Sequence, residues 1–236
     1  MRKIFFYECR RLLCNKFFLG LLLVILFYGW QVLNRVTIFG IAHTAPYSPW
    51  SFGDYLCRML PLLWMGALFF QRFFTSKAEA RRKALTAATP VKPAVYSMVR
   101  CSAAFVGTAL VALVVILLAL VFYGRLFHWA EWRTLIFPAV ITLLPPLVFA
   151  LGSGWALGRF RSWLLYLWML FPVVWLALPL PDSFGLVTGS AFAERPLALN
   201  TLDPAFSLSQ ETIICQCALF FAGIALLFLH PKNRRS

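Results

Sequence analysis

The chain has 236 residues, of which 61% are hydrophobic and only 13% charged, and its mean hydropathy is +0.79. A soluble domain is nearer half apolar and a quarter charged, so this composition excludes an ordinary soluble enzyme and specifies an integral membrane protein. The formal net charge of +14 does not point to nucleic acid, because the basic residues stand at the ends of apolar runs instead of forming one patch, which is how membrane topology is written.

Residues 1–16 are predicted to form an interfacial helix. Phe5, Phe6, Cys9, Leu12 and Leu13 fall on one face, and Lys3, Glu8, Arg10, Arg11 and Asn15 lie mostly on the other. Six apolar stretches follow, near 17–33, 55–74, 101–123, 134–158, 162–180 and 212–229, each within the length range of a membrane helix. The first has no small-residue cleavage site after it and is expected to be retained as a span, not removed as a signal peptide. At the outer end of the second, Asp54 precedes Arg58 by four residues, the spacing for a helical pair in which the Arg58 side chain reaches outward to the interface. The third carries a row of small residues, Ala104, Thr108 and Ala112, suited to close helix packing. The fourth contains Pro138, Pro145 and Pro146 and a GxxxG at Gly154 and Gly158; the fifth contains Pro172. Prolines of this kind bend a membrane helix and free carbonyls that neighbours must satisfy. Residues 181–211 form an outer loop, long for a mere connection, whose apolar pieces at 184–187 and 191–193 are expected to dip into the outer interface.

Six spans place both termini on one side. That side carries seventeen of the 22 Lys and Arg and two of the eight carboxylates, so the positive-inside rule assigns it to the cytoplasm. Basic flanks of this density also favour anionic lipid headgroups. The six cysteines form no evident disulfide framework and are read as small apolar fillers.

The long polar stretch between the second and third spans is the most informative part of the chain. Seven basic residues fall between Arg72 and Arg100, against one carboxylate, Glu79. Ser76 and Glu79 fit a capping box, and Glu79 stands four residues before Lys83 in the favourable order for a helical ion pair. Thr89 before Pro90 ends that helix near Ala88, and Pro93 opens the next. A short, capped helix between two spans is a handle that a partner can push.

Catalytic signatures do not appear. There is no phosphate-binding GxxxxGK[ST] loop, no HExxH zinc motif and no GxSxG elbow. His128 and Glu131 are two potential ligands without a third, a poor metal site. The six spans hold no carboxylate near their middles, whereas an ion-coupled carrier keeps an ionisable group there. No catalytic, metal or cofactor residue is assigned within this chain.

On these features the chain resembles the membrane subunit of ABC transporters, in particular the type-2, exporter-like permeases. The resemblance rests on the interfacial segment 1–16, the segment 75–100, the outer segment 181–211, and the run from Glu79 through Ala84-Leu85-Thr86 to Pro90. It departs at Arg81-Arg82-Lys83, where the family often has a glycine after the acidic residue. The resemblance implies an all-α membrane domain with six transmembrane helices, an N-terminal elbow helix and a cytoplasmic coupling helix, in a plasma (inner) membrane with both termini cytoplasmic. It implies coupling residues at Ser76, Lys77, Glu79, Arg81, Arg82, Lys83, Leu85, Thr86 and Pro90. It also implies a separate cytoplasmic ATPase dimer that binds ATP and Mg, a second permease chain, identical or different, and a hydrophobic or amphipathic cargo such as a lipid, drug or antimicrobial peptide. Two other readings fit the residues: a non-transporting scaffold or sensor that binds a partner through the handle, and a membrane enzyme acting on lipid or peptide, for which only Asp54/Arg58 and His128/Glu131 offer polar groups.

Overall fold

The computed structural model describes residues 2–74, 93–161, 163–177, 184–199 and 201–228, and these contain helices and no strand. In chain order they form α1 (Arg2–Leu13), α2 (Lys16–Arg35), α3 (Pro49–Phe74), α4 (Pro93–Phe127), α5 (Ile136–Phe160), α6 (Leu164–Met169), α7 (Phe171–Ala177), α8 (Gly185–Thr188), α9 (Ser190–Ala198) and α10 (Gln210–Phe228). Among the described residues four stretches are long and apolar enough to cross a membrane: Lys16–Phe39, Tyr96–Phe127, Trp132–Phe160 and Gln210–Phe228.

Local chemistry starts two of the long helices. The Asn15 side chain accepts from the Phe17 amide at 3.3 Å and caps α2. Ser48 Oγ accepts from the Ser51 amide at 3.2 Å, and Pro49 takes the first helical position of α3, where a missing N–H costs nothing. As a result α3 begins six residues before the predicted second span. Its 26 residues amount to about 39 Å of helix.

The long helices are arranged around one of their number. The helix at the centre is α3, which packs against α2, α4, α5 and the short helices α6 to α9. Eighteen of its residues are buried, including Asp54 and Gln71. By contrast α10 buries only Thr212, Gln216 and Gly223, and exposes Ile214, Phe221 and Phe228 to about two thirds of their surface. Large apolar side chains on the outside of a peripheral helix, beside a core that also holds Trp50, Phe52 and Phe70, are what an apolar solvent permits.

One sequence expectation is corrected here. The predicted fifth span near 162–180 is not one helix: the described part is α6 and α7, separated at Leu170. Pro172 has no N–H to give to the Trp168 carbonyl, four residues earlier. That carbonyl accepts instead from the Trp64 indole of α3 at 3.3 Å, while the Trp168 indole donates to Ser153 Oγ of α5 at 2.8 Å. Two kinds of close helix approach involve glycine. Gly154 meets side chains, those of Leu68, Gln71 and Leu165. The tight backbone contact is made by Gly152 of α5 and Gly223 of α10. A Cβ on Gly152 would collide with the Gly223 carbonyl oxygen, and one on Gly223 would lie 2.7 Å from the Phe149 nitrogen. The six cysteines are free.

The outer segment also differs from a loop that dips into the interface. Helices α8 and α9 fold onto the start of α3, with Leu186 and Phe192 fully buried beside Trp50 and Cys57. Phe192 lies so close over Gly53 that any Cβ there would overlap its ring. Trp50 Nε1 donates to the Pro204 carbonyl at 2.8 Å, and the Asp203 amide donates to the His43 carbonyl at 3.3 Å, which ties this cap to the first outer loop.

Gly223→Leu is expected to destabilise the fold by at least about 3 kcal/mol, the upper end of what overpacking costs, because backbone on α5 stands where the side chain must go. Gly20→Leu on α2, where nothing lies within 4 Å, should leave thermal unfolding in detergent unchanged. Equal stability of the two variants would remove the Gly152–Gly223 contact as the anchor of α10.

Candidate functional site

The predicted coupling residues Ser76, Lys77, Glu79, Arg81, Arg82, Lys83, Leu85, Thr86 and Pro90 lie outside the described residues. Both flanks of their segment are described, and they converge on one buried carboxylate.

That carboxylate is Glu8 of α1, 1% exposed. The pattern of residues 1–16 puts Glu8 on the polar face, but it is turned inward, whereas Phe6 and Tyr7 are about three-fifths exposed. Tyr96, at the start of α4, donates its hydroxyl to Glu8 Oε1 at 2.7 Å, and Arg100 Nη2 donates to that same hydroxyl at 2.8 Å. Two guanidiniums pair with the carboxylate: Arg11 Nη1 at 3.1 Å and Arg100 Nε at 3.7 Å. Arg100 is only 7% exposed.

Aromatic rings complete the surroundings. The Arg100 guanidinium lies 4.3 Å from the Tyr96 ring centre and 5.7 Å from that of Phe74, the last residue of α3. Arg11 sits 4.9 Å over Phe73 and 5.9 Å from Phe74. Ring faces beside the guanidiniums add negative potential to that of the carboxylate. Next to it, Cys9 is buried; burial first and the Glu8 carboxylate second push its thiol up, so it stays protonated and inert at neutral pH.

Glu8 therefore joins three elements: α1, the end of α3 and the start of α4. Helix α1 packs along α4, where Gly107 admits Leu12 and Phe70 so closely that a Cβ would lie 2.5 Å from Leu12 Cδ2. The described contacts of the group are ionic, hydrogen-bonded and aromatic. It fixes the two ends of the segment 75–92 relative to each other. Sequence reading missed it because an acid among five bases on an amphipathic helix looks like a solvated charge. One signal was present: Glu8 is the sole carboxylate in the first 53 residues.

At the other end of α3, the structure brings Asp54 and Arg58 together. Arg58 Nε donates to Asp54 Oδ2 at 2.6 Å; Asp54 is 5% exposed and Arg58 reaches outward. Gly189, between α8 and α9, stands over the carboxylate: a Cβ there would lie 3.7 Å from Asp54 Oδ1. Gly189 has φ +91°, a conformation that disfavours any side chain, so the backbone of the cap can close on the pair. His128 has φ 51° and is not joined by any metal-ligand group of three among the described residues.

Comparison with protein-family models, with curated proteins and with solved structures gave no match.

Glu8→Ala is expected to cost about 3–5 kcal/mol, because it leaves two largely buried guanidiniums without their carboxylate. Glu8→Gln keeps an acceptor for the Tyr96 hydroxyl and should cost less. Thermal unfolding of the detergent-solubilised chain measures both, and an unchanged midpoint for Glu8→Ala would show that the group bears no structural load.

Proposed function

We propose that this chain is the membrane-embedded permease subunit of an ATP-driven exporter of the type-2 ABC kind. It crosses a plasma (inner) membrane six times, with both termini and the segment 75–92 in the cytoplasm. In this reading α2, α3, α4, α5, the pair α6–α7 and α10 are the six crossings, and α1 is the elbow helix at the cytoplasmic interface. A separate ATPase dimer, which binds ATP and Mg, docks on Lys77–Ala88. A second permease chain completes the pathway, and the cargo is hydrophobic or amphipathic.

The observation that carries this reading is the Glu8 group. A segment that transmits force must be tied at both ends to the bodies it moves. Here Phe74 on one flank and Tyr96 and Arg100 on the other meet around one carboxylate contributed by α1. A displacement of the segment would reach α3, α4 and α1 together. The distribution of charge supports the orientation: the basic residues Arg10, Arg11, Lys16, Arg72, Arg100, Arg159 and Arg161 all flank one end of the long helices. Apolar surface on α2, α4 and α10 supports embedding in lipid.

Purification of the chain in mild detergent, with identification of the proteins that accompany it, tests the reading. A stoichiometric ATPase carrying a phosphate loop is expected. Glu79→Ala should reduce its association several-fold without lowering membrane insertion, and Arg82→Pro should abolish cargo transport while ATP hydrolysis persists. A folded chain that purifies with a partner lacking ATPase activity would replace this reading with a scaffold or sensor.

A further inference from the structure

Helix α3 is buried on all but one narrow stripe. Between Arg58 and Phe69 the residues that escape burial are Arg58, Pro61, Leu62, Met65 and Phe69, and their three- and four-residue spacing sets them on one face. Helix α2 runs beside that stripe in the opposite direction. Its Phe17 ring stacks on Phe69, its Leu21 side chain meets Gly66, and its Tyr28 stands within electrostatic reach of Arg58. Between Phe17 and Tyr28, Val24 is 53% exposed, so the two helices leave an apolar seam open along their length. The Phe17–Phe69 stack closes the seam at one end, and Arg58 heads it at the other. Eleven residues of helix separate these ends, about 16 Å. That matches the hydrocarbon depth of one leaflet, about half of the ~30 Å core.

The head of the seam is held in place from one side only. Side chains of a helix lean toward its N-terminus, so Arg58 rises alongside Asp54, one turn earlier. The Asp54 carboxylate, 5% exposed, accepts from Arg58 Nε at 2.6 Å. Among the described residues this is the one hydrogen bond that Arg58 makes, and its side chain is 45% exposed. A guanidinium has five donors. Holding it through Nε fixes its plane and leaves the paired Nη1 and Nη2 edge for a second oxyanion, the geometry that suits a phosphate. The Tyr28 hydroxyl is a further donor nearby, on a residue 40% exposed. Asp54 offsets part of the Arg58 charge, so the site suits a singly charged phosphate diester. A fork of donors at the head of an apolar seam one leaflet long is complementary to an amphiphile with that group at its end.

We infer that Arg58 binds the phosphate of a diacyl phospholipid in the leaflet at the Pro49 end of α3, with an acyl chain along Leu62, Met65 and Val24 as far as the Phe17–Phe69 stack. The inference requires only that α2 and α3 are in a bilayer, and it holds for a permease or a scaffold alike. Its failure therefore leaves the proposed function untouched.

Native mass spectrometry of the full-length chain, delipidated and then offered dioleoyl phosphatidylglycerol or dioleoylglycerol at equal concentration, tests it. The two lipids share their chains and differ in the phosphate headgroup, and the unaltered protein is expected to retain the phospholipid preferentially. Arg58→Gln should lower that preference about fivefold, the worth of a single hydrogen bond. Because this change strands the Asp54 carboxylate, the double variant Arg58→Gln with Asp54→Asn, which withdraws both charges together, is measured beside it and should show the same loss. Arg125→Gln, at an exposed cation in the last turn of α4, should keep the preference. Met65→Trp should reduce retention of both lipids by filling the seam. Equal retention of the two lipids by the unaltered protein, a preference that survives both Arg58 variants, or an equal loss in Arg125→Gln would overturn the inference. Displacement of the phospholipid by inorganic phosphate would overturn it too, by assigning Arg58 to the free anion. So would a disulfide-linked dimer through Met65→Cys in membranes, absent from the unaltered chain, since a second copy would then cover the seam.

Discussion

Everything in this fold follows from a solvent that offers no hydrogen bonds. Backbone and side-chain polar groups at membrane depth must find partners in the protein, and the helix least suited to lipid therefore becomes the centre. Helix α3 carries Asp54, Arg58, Gln71 and Arg72 and contains Pro61, and it is not among the stretches apolar enough to cross a membrane by composition. It is nevertheless the element around which the others are placed, while α2 and α10, far more apolar on their outer surfaces, form the periphery. The same constraint accounts for Trp64: its indole is directed to the carbonyl that Pro172 leaves open. It also accounts for Tyr55, whose hydroxyl donates to the Val115 carbonyl on α4 at 3.1 Å. In water such groups would lose little by pointing outward; in hydrocarbon each unmade bond costs several kcal/mol.

Prolines of three helices lie at one level. Pro61 of α3, Pro146 of α5 and Pro172 of α7 line one cavity of about 20 Å³, walled by Trp64, Phe149, Phe171 and Trp175. That volume would admit about one water, but such a molecule needs polar partners, and apolar cavities stay dry. The rings fill the space that the bends create. Three helices thus have their weakest backbone ladders side by side, where bending one requires the least disruption of the others.

The sequence was most informative about class and least about contacts. The apolar runs, the proline breaks and the Asp54–Arg58 pair depend on composition and on four-residue spacing, both readable along a single chain. Three features were not readable. Gly152 looked no different from Gly154, because which glycine meets Gly223 depends on the rotation of α10 against α5. The cap of α8 and α9 over Gly53 needs contacts between residues about 140 positions apart, and its apolar pieces looked equally suited to an interface. Glu8 was placed on the wrong face because the amphipathic pattern assumes that charge seeks water, whereas this carboxylate has two guanidiniums on the protein side. The predicted coupling residues at 76–90 lie outside the described residues.

The flanks of the segment 75–92 explain how an event at the basic end would be felt at the outer one. Helix α3 is continuous from Pro49 to Phe74. At Phe74 it abuts the guanidiniums held by Glu8; at Gly53 it touches Phe192 of the outer cap without any intervening side chain of its own. A helix resists stretching and tilts as a unit over this distance, so a shift at Phe74 must either move the Gly53–Phe192 contact or be absorbed at Pro61. There the ladder lacks one hydrogen bond, and the adjacent Pro146 and Pro172 lower the resistance of the neighbouring helices. The Asp54–Arg58 pair lies beyond that point, under Gly189 of the cap. The buried carboxylate beside one end of α3 and the covered carboxylate near its other end are joined by a single helix, with Pro61 between them.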